Sequence, residues 1–432
     1  MKKYDSYKNS GIEWIGEIPS HWESTKLKFV GESIIGIIYS PDDVVNQGEG
    51  ILVLRSSNIQ DGKLAFEDCV FVDKDVNEKH LTKEGDILLC ARNGSAHLVG
   101  KAAYIDKENE GVTFGAFMSI VRSELDKYLF YFFNSQVFKA QTGLFSTSTI
   151  NQLTSDTLNN MFISFPKGEQ EQTAIAAYLD RKTAEIDALI ADKKRLLALY
   201  EEEKTALINQ AVTKGIHPDV PMKDSSIDWL GEIPAHWEVK RLKYVASIND
   251  EVLTENTEED FKIEYVEISG VKSGTGIVET TTYRFKDAPS RARRIVRDGD
   301  VLVSTVRTYL KSIAKVDNPP ENLIASTGFA VIRPNNINSD YTGFLFYSEP
   351  LIGEIISLST GVSYPAINGS QIGDIKIPIP PNNEQIAISE FIENNVLMLD
   401  KLKEKTEKLI DLLTEYRTAL ISEVVTGKVK VV

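Results

Sequence analysis

The chain has 432 residues, of which 42% are hydrophobic and 26% charged, with a net charge of −15. This is ordinary globular composition with length for two or three domains, each with its own core. It excludes a membrane span, since no apolar run approaches about 18 residues, and the acid excess argues against binding nucleic acid by charge alone. The N-terminus, MKKYDSYKNS, lacks the apolar stretch of a secretion signal. The two cysteines, Cys69 and Cys90, have no CxxC spacing, so the expectation is a cytoplasmic protein without a disulfide or zinc framework.

In chain order, the first recognisable segment is also the first half of a repeat. Ile12–Val30 (IEWIGEIPSHWESTKLKFV) returns as Ile227–Val245 (IDWLGEIPAHWEVKRLKYV), identical at twelve of nineteen positions. Further pairs follow: Gly85-Asp86-Ile87-Leu88 with Gly299-Asp300-Val301-Leu302, Ile150-Asn151 with Ile367-Asn368, Glu171-Gln172 with Glu384-Gln385, and Ala206-Leu207-Ile208 with Ala419-Leu420-Ile421. The chain is therefore two copies of one unit, with the stretches between these anchors much more divergent.

Each copy begins with a mixed α/β globule, residues 1–166 and 227–381. Short apolar runs predict strands at Ile51–Leu54, Ile87–Cys90, Met118–Arg122, Val301–Thr305 and Ala330–Arg333, punctuated by turns such as Asp61-Gly62 and Asp298-Gly299; Lys127–Phe138 reads as helix. Each copy ends in a long helix, residues 167–213 and 382–426, with a linker at 214–226. Apolar residues recur near a 3.5 spacing at Ile175, Leu179, Ile186, Leu189, Leu196, Tyr200 and Leu207, and again at Ile388, Ile392, Leu399, Leu402, Leu409, Leu413, Tyr416 and Leu420. This is a coiled-coil seam, and each helix spans about 66 Å at ~1.5 Å per residue. If the seams pair, connectivity makes the helices antiparallel, and the globules take the two ends of a spacer related by an approximate two-fold axis. Such an arrangement suits a target with two half-sites.

The duplicated W-[IL]-G-E-I-P-x-H-W at Trp14–Trp22 and Trp229–Trp237, the Glu-Gln pairs that follow Pro166 and Pro381, and the A-L-I helix ends together resemble the specificity subunits of type I restriction–modification systems. The resemblance covers the whole chain. It implies two target-recognition domains that read the halves of a split double-stranded DNA site, separated by an antiparallel coiled coil. It also implies two methylation subunits, which bind S-adenosylmethionine, and restriction subunits, which use ATP and Mg²⁺. The chain itself is then non-catalytic, with no cofactor or metal of its own.

Tests for chemistry in the chain agree with that implication. Asn318-Pro319-Pro320 is followed by Glu321, not by the aromatic that an amino-methyltransferase stacks on a flipped base; it reads as a turn. No GxxxxGK[ST] loop for ATP occurs. The five histidines show no ligand-pair spacing, and His21 and His236 read as fixing a turn beside Trp22 and Trp237, themselves core anchors. A loose PD…DxK pattern at Asp42, Asp61 and Lys63 leaves a Mg²⁺-dependent nuclease as one rival. A coiled-coil adaptor that binds no DNA is the other.

Base edges are read by Arg, Lys, Asn, Gln, Ser and Thr, and phosphates are held by Arg and Lys. The divergent stretches should carry them. After the strand at Ile87–Cys90 come Arg92, Asn93, Ser95 and Lys101; after that at Val301–Thr305 come Arg307, Tyr309 and Lys311. Copy one adds Arg55, Ser57 and Asn58. Copy two adds Arg291, Arg293, Arg294 and Arg297, within a stretch from Arg284 to Lys315 that holds nine bases against three aspartates. Ser146–Thr149 and Ser363-Tyr364 are further candidates. The base sequence itself is not legible, because it depends on loop conformation and DNA shape.

Overall fold

A computed structural model describes residues 2–145 and 152–431. The chain divides into two compact units, Met1–Lys194 with Lys408–Val432, and Arg195–Glu407. Each unit therefore contains one globule and a segment of both long helices.

In the first unit, Ile87–Cys90 lies inside an antiparallel sheet ordered Ala102–Tyr104, Ile87–Cys90, Met118–Arg122, Glu32–Ile35. Successive side chains of a strand point to opposite faces. Ile87 and Leu89 accordingly enter one core, with Trp22 and Tyr128, while Leu88 and Cys90 enter another, with Leu54, Phe114 and Ile120. A strand covered on both faces must be apolar throughout, which explains the unbroken ILLC. The second sheet is ordered Thr113–Phe114, Ile51–Leu54, Val70–Val72, Val44–Val45, with its first pair parallel. The helix expected over Lys127–Phe138 is two helices, Asp126–Phe133 and Gln136–Phe145. Asn134 Nδ2 donates to the Phe130 carbonyl and Ser135 Oγ to that of Phe132, so side chains reinforce the backbone bonds to the same carbonyls where the first helix ends.

The second unit repeats this plan. One antiparallel sheet is ordered Ala246–Ile248, Phe329–Pro334, Val301–Ser304, Ile313–Lys315, and the other Thr281–Arg284, Lys262–Val266, Leu323–Ser326, Ala292–Ile295. Val301 and Val303 face the core that holds Trp237 and Tyr341, whereas Leu302 faces the other. The mixed α/β class and the duplication stand as expected. One pairing shifts. The backbone N–H of Leu153 donates to Ala91 and that of Ile367 to Thr305, and Thr154 and Asn368 each cap the short helix that follows. The partner of Ile367-Asn368 is thus Leu153-Thr154. Ile150-Asn151 and Ser146–Thr149 lie outside the described residues.

The long helices span Glu169–Lys214 and Asn382–Val425, and they pair antiparallel. In the first unit Arg417 Nε donates to Asp187 at 2.8 Å. In the second, Lys403 bonds Glu201 at 2.7 Å and Lys204 bonds Asp400 at 3.0 Å, so residue numbers rise along one helix as they fall along the other. The seam has two uses. Ile175, Leu179 and Ile186 join the same core as Trp22, together with Leu420 and Ile421 of the other helix; Ile388 and Ile392 join Trp237, together with Ile208 and Val212. The expected seam positions Leu189, Leu409 and Tyr416 are instead 40–48% exposed, because the globules, not helix partners alone, decide which face is covered.

Candidate nucleic-acid interface

The repeated motifs build a framework that positions the divergent loops. In the first unit one carboxylate, Glu171, accepts from Trp22 Nε1 at 3.1 Å and Tyr4 Oη at 2.8 Å, and bonds His21 Nε2 at 2.8 Å. In the second, Glu384 accepts from Trp237 Nε1 at 2.9 Å and bonds His236 Nε2 at 2.7 Å. The adjacent glutamines donate to the carbonyls of Pro166 and Pro380. The His-Trp motif and the Glu-Gln motif, some 150 residues apart, are thus the two sides of one clasp between globule and helix start. Burial raises the Glu171 carboxyl, but hydrogen bonds from Trp22, His21 and Tyr4 outweigh it and hold its pKa below the usual value.

The far helix ends are held in the same way. The fully buried Tyr128 hydroxyl lies 2.6 Å from the Ser164 carbonyl and 2.9 Å from that of Val425. Tyr341 lies 3.2 Å from the Pro378 carbonyl and 3.1 Å from that of Val212. Burial pushes both phenols well above their ordinary pKa, so they stay protonated donors. The Gly-Asp motif anchors the sheets. Asp86, 1% exposed, takes a bidentate bond from Arg122 at 2.8 and 2.7 Å. Asp300, fully buried, takes the same from Arg333 at 2.9 and 2.8 Å.

From this frame each unit projects a loop at the end of its buried central strand. In the first, Arg92 is exposed and Asn93 Nδ2 donates to Ser56 Oγ at 3.2 Å, which joins the loop to the turn carrying Arg55, Ser57 and Asn58. In the second, Arg307 and Tyr309 are exposed, with Arg307 and Lys311 both in the left-handed region, at φ of 51° and 53°. The Gly328 carbonyl accepts from Thr305, and the adjacent Thr327 donates to the carbonyl of Arg291. One turn therefore joins the arginine loop to the start of the basic strand.

Other candidates have partners that local sequence did not reveal. Asn58 is fully buried and its amide bonds Arg55 N and the carbonyls of Ala65 and Asp68; it holds a turn and faces no ligand. The arginine stretch contains no acid, yet Glu251, from an earlier segment, bonds Arg297 at 2.9 Å. Asp260 pairs with Arg284 and Lys286, Glu349 with Lys311, and Asp317 and Asp340 with Lys315. Arg55 pairs with Asp68. Arg294 is half-buried, and Arg293 lies over the Phe285 ring. Arg92, Arg291 and Arg307 have no ion pair among the described residues. Ser95 is exposed, with its backbone N–H on Asn93 Oδ1, and Lys101 is half-buried at the loop's end.

Asp61-Gly62 of the loose nuclease pattern is the turn of a two-strand hairpin, Ile59–Gln60 with Lys63–Leu64, and both residues have positive φ. Among the described residues no cluster of three or more His, Cys, Asp or Glu is arranged to hold a metal. No described helix is long and apolar enough to cross a membrane. Phe117, 60% exposed beside Arg92, was invisible to sequence reasoning, since an aromatic next to an apolar strand reads as core.

A family model described as the type I restriction modification DNA specificity domain matches residues 19–198 and 234–411. The chain is 27% identical over 434 residues to the putative type I restriction enzyme MjaX specificity subunit of Methanocaldococcus jannaschii, covering 96% of each. It is 22% identical to the EcoKI specificity subunit of Escherichia coli K12, covering 96% of this chain and 90% of that one. Among solved structures, one from work on complex assembly and conformational transition of the type I restriction–modification system superposes with a TM-score of 0.70 at 16% identity, over 95% of this chain and 99% of the other. The HsdS subunit of Thermoanaerobacter tengcongensis gives 0.57 at 16% identity, over 95% and 98%.

Proposed function

Because the chain belongs to the type I restriction modification DNA specificity family, as a specificity subunit with two DNA recognition domains, we propose that each unit reads one half of a split DNA site. Arg92 and its neighbours Asn93 and Ser95 face one half, and Arg307 with Tyr309 faces the other. The observation that carries this reading is the recurrence, in both units, of an exposed arginine, without an ion pair among the described residues, at the end of the same buried strand. Arg291 and Arg293 hold phosphates beside the second loop, where they set register without reading bases. Arg297, Lys311 and Arg55 reach DNA only by exchanging the carboxylates that now hold them.

The chain works in a complex with methylation and restriction subunits, and we propose two of the former. Exposed apolar residues on the helices suit such partners: Leu189, Leu412 and Tyr416 in the first unit, Leu199, Leu397 and Met398 in the second. The chain contributes no catalytic group. Methyl transfer from S-adenosylmethionine and ATP- and Mg²⁺-dependent cleavage belong to the partners.

The deciding experiment maps adenine methylation in DNA from cells carrying this chain with its methylation subunit, against cells that lack only this chain. Methylation at one split motif that vanishes with the chain supports the reading. Methylation that is absent, or unaffected by removal, refutes it.

A further inference from the structure

We propose that an exposed aromatic ring in each unit backs the loop arginine and fixes its guanidinium plane for reading a guanine: Phe117 for Arg92 and Tyr364 for Arg307. The inference rests on the DNA-reading function proposed above and assigns it two positioning residues.

The two arrangements share geometry but not ancestry. The Arg92 guanidinium lies 5.3 Å from the Phe117 ring centroid, and that of Arg307 lies 4.5 Å from the centroid of Tyr364. The arginine backbone is tied to the same segment as the ring in both cases. Arg92 N donates to the Phe117 carbonyl at 2.9 Å, and Arg307 N to that of Pro365, next to Tyr364, at 2.8 Å. Yet the rings come from opposite sides. Ala91 N bonds Phe117 and the equivalent Thr305 N bonds Gly328, so the place of Phe117 is taken in the second unit by a glycine with no ring. Tyr364 supplies the ring from a different loop, closed by the Thr360–Ala366 bridge. Two unrelated segments have thus placed an aromatic plate under the corresponding loop's arginine.

Both rings are 60–61% exposed, and neither guanidinium has a hydrogen-bond or carboxylate partner among the described residues. Some surface pairs, Lys28 on Phe29 and Lys243 on Tyr244, join sequence neighbours, and others, Lys26 on Phe162 and Lys127 on Tyr104, join distant segments away from these loops; the two arginine pairs join distant segments at the reading loops. A guanidinium stacked on a ring keeps its donor edge free and loses little freedom on binding. That edge matches O6 and N7 of guanine, the pair an arginine grips with two bonds in the major groove. A lysine carries the charge but not the fork.

The test uses the full chain with its methylation subunit on DNA libraries randomised across both half-sites, with methylation read by position. Arg307→Lys should lose about tenfold or more of the preference for guanine at one base pair of one half-site. Tyr364→Leu should lose about two- to fivefold at that same base pair, and Tyr364→Phe should restore it. Arg92→Lys, Phe117→Leu and Phe117→Tyr should repeat the pattern in the other half-site. In each variant the untouched half-site, read normally, reports that the protein is folded. A ring deletion that leaves all preferences unchanged, or lowers methylation uniformly across sequences, overturns the inference. Full guanine preference in Arg307→Lys also overturns it, since charge alone then suffices. No split motif with the unaltered chain would sink the DNA-reading proposal itself.

Discussion

The duplicated buried aspartates offer an internal comparison of what a neighbouring charge does. In the first unit Arg122 has one bonded carboxylate, Asp86. In the second, Arg333 bonds Asp300 and also Asp250 at 3.1 Å and Glu251 at 2.7 Å. Replacing Asp with Asn preserves shape and removes charge. Removing one partner of a buried pair costs about 3–5 kcal/mol when the other charge is left alone. Arg122 is 28% exposed and regains some water, so Asp86→Asn should cost about 3 kcal/mol, the lower end of that range. Asp300→Asn leaves Arg333 with two carboxylates and should cost less, about 1.5–2 kcal/mol, the lower end for a hydrogen bond to a charged group. The two units need not unfold together, so a single melting temperature would mislead. Hydrogen exchange in increasing denaturant, read on peptides covering Ile87–Cys90 and Val301–Ser304, follows each unit separately. A cost for Asp300→Asn equal to or above that for Asp86→Asn would refute the reasoning.

Further tests address other parts of the frame. The depressed Glu171 pKa means that its clasp contributes stability above the ordinary glutamate range, about 4.3, and loses it as pH falls through the lower folded value. The stability gap between the unaltered chain and Glu171→Gln, measured by denaturant unfolding at stepped pH, should therefore be widest near neutrality and close in acid. Gly427 has φ of 70°, and an added Cβ would lie 2.3 Å from the Pro19 ring, so Gly427→Ala should destabilise the first unit by about 2 kcal/mol or more in the same exchange assay. In DNA binding across a salt series, neutralising Arg291 and Arg293 should lower the salt slope by about one for each phosphate no longer held. Neutralising Arg297, already held by Glu251, should change it much less.

The repeat made the fold legible, because identical residues at matched places imply matched structure. The strands at Ile87–Cys90 and Val301–Ser304 were readable because burial on both faces forces an unbroken apolar run. The partition of the helix seam was not. A 3.5 spacing marks an apolar face but does not say what covers it, and the start of each seam covers a globule while Leu409 and Tyr416 stay 40% and 48% exposed. The surroundings of the arginine cluster at 291–297 were not legible either, for a related reason. Charge counted along the chain omits carboxylates delivered by the fold, and Glu251, forty residues earlier, is one of them. Asn58 looked like a reader because it is polar and near a turn, and only its three backbone bonds show that it makes the turn.

The framework and the loops divide the labour in a way that explains which residues repeat. Trp22 with Glu171, Tyr128 with Val425, and Asp86 with Arg122 recur in the second unit as Trp237 with Glu384, Tyr341 with Val212, and Asp300 with Arg333. Every one of these pairs is buried or half-buried and ties a strand or turn to a helix end or a sheet. None reaches the loop at the strand end. A change in that loop therefore leaves the core packing intact, and a change in the clasp moves the whole loop. Divergence should be tolerated at Arg92–Lys101 and Arg307–Lys311 while the clasp is held constant, which is the pattern the two halves of this chain already display. The same division lets a glycine stand at position 328 where the first unit has Phe117, provided that another segment, here the loop with Tyr364, supplies the missing ring.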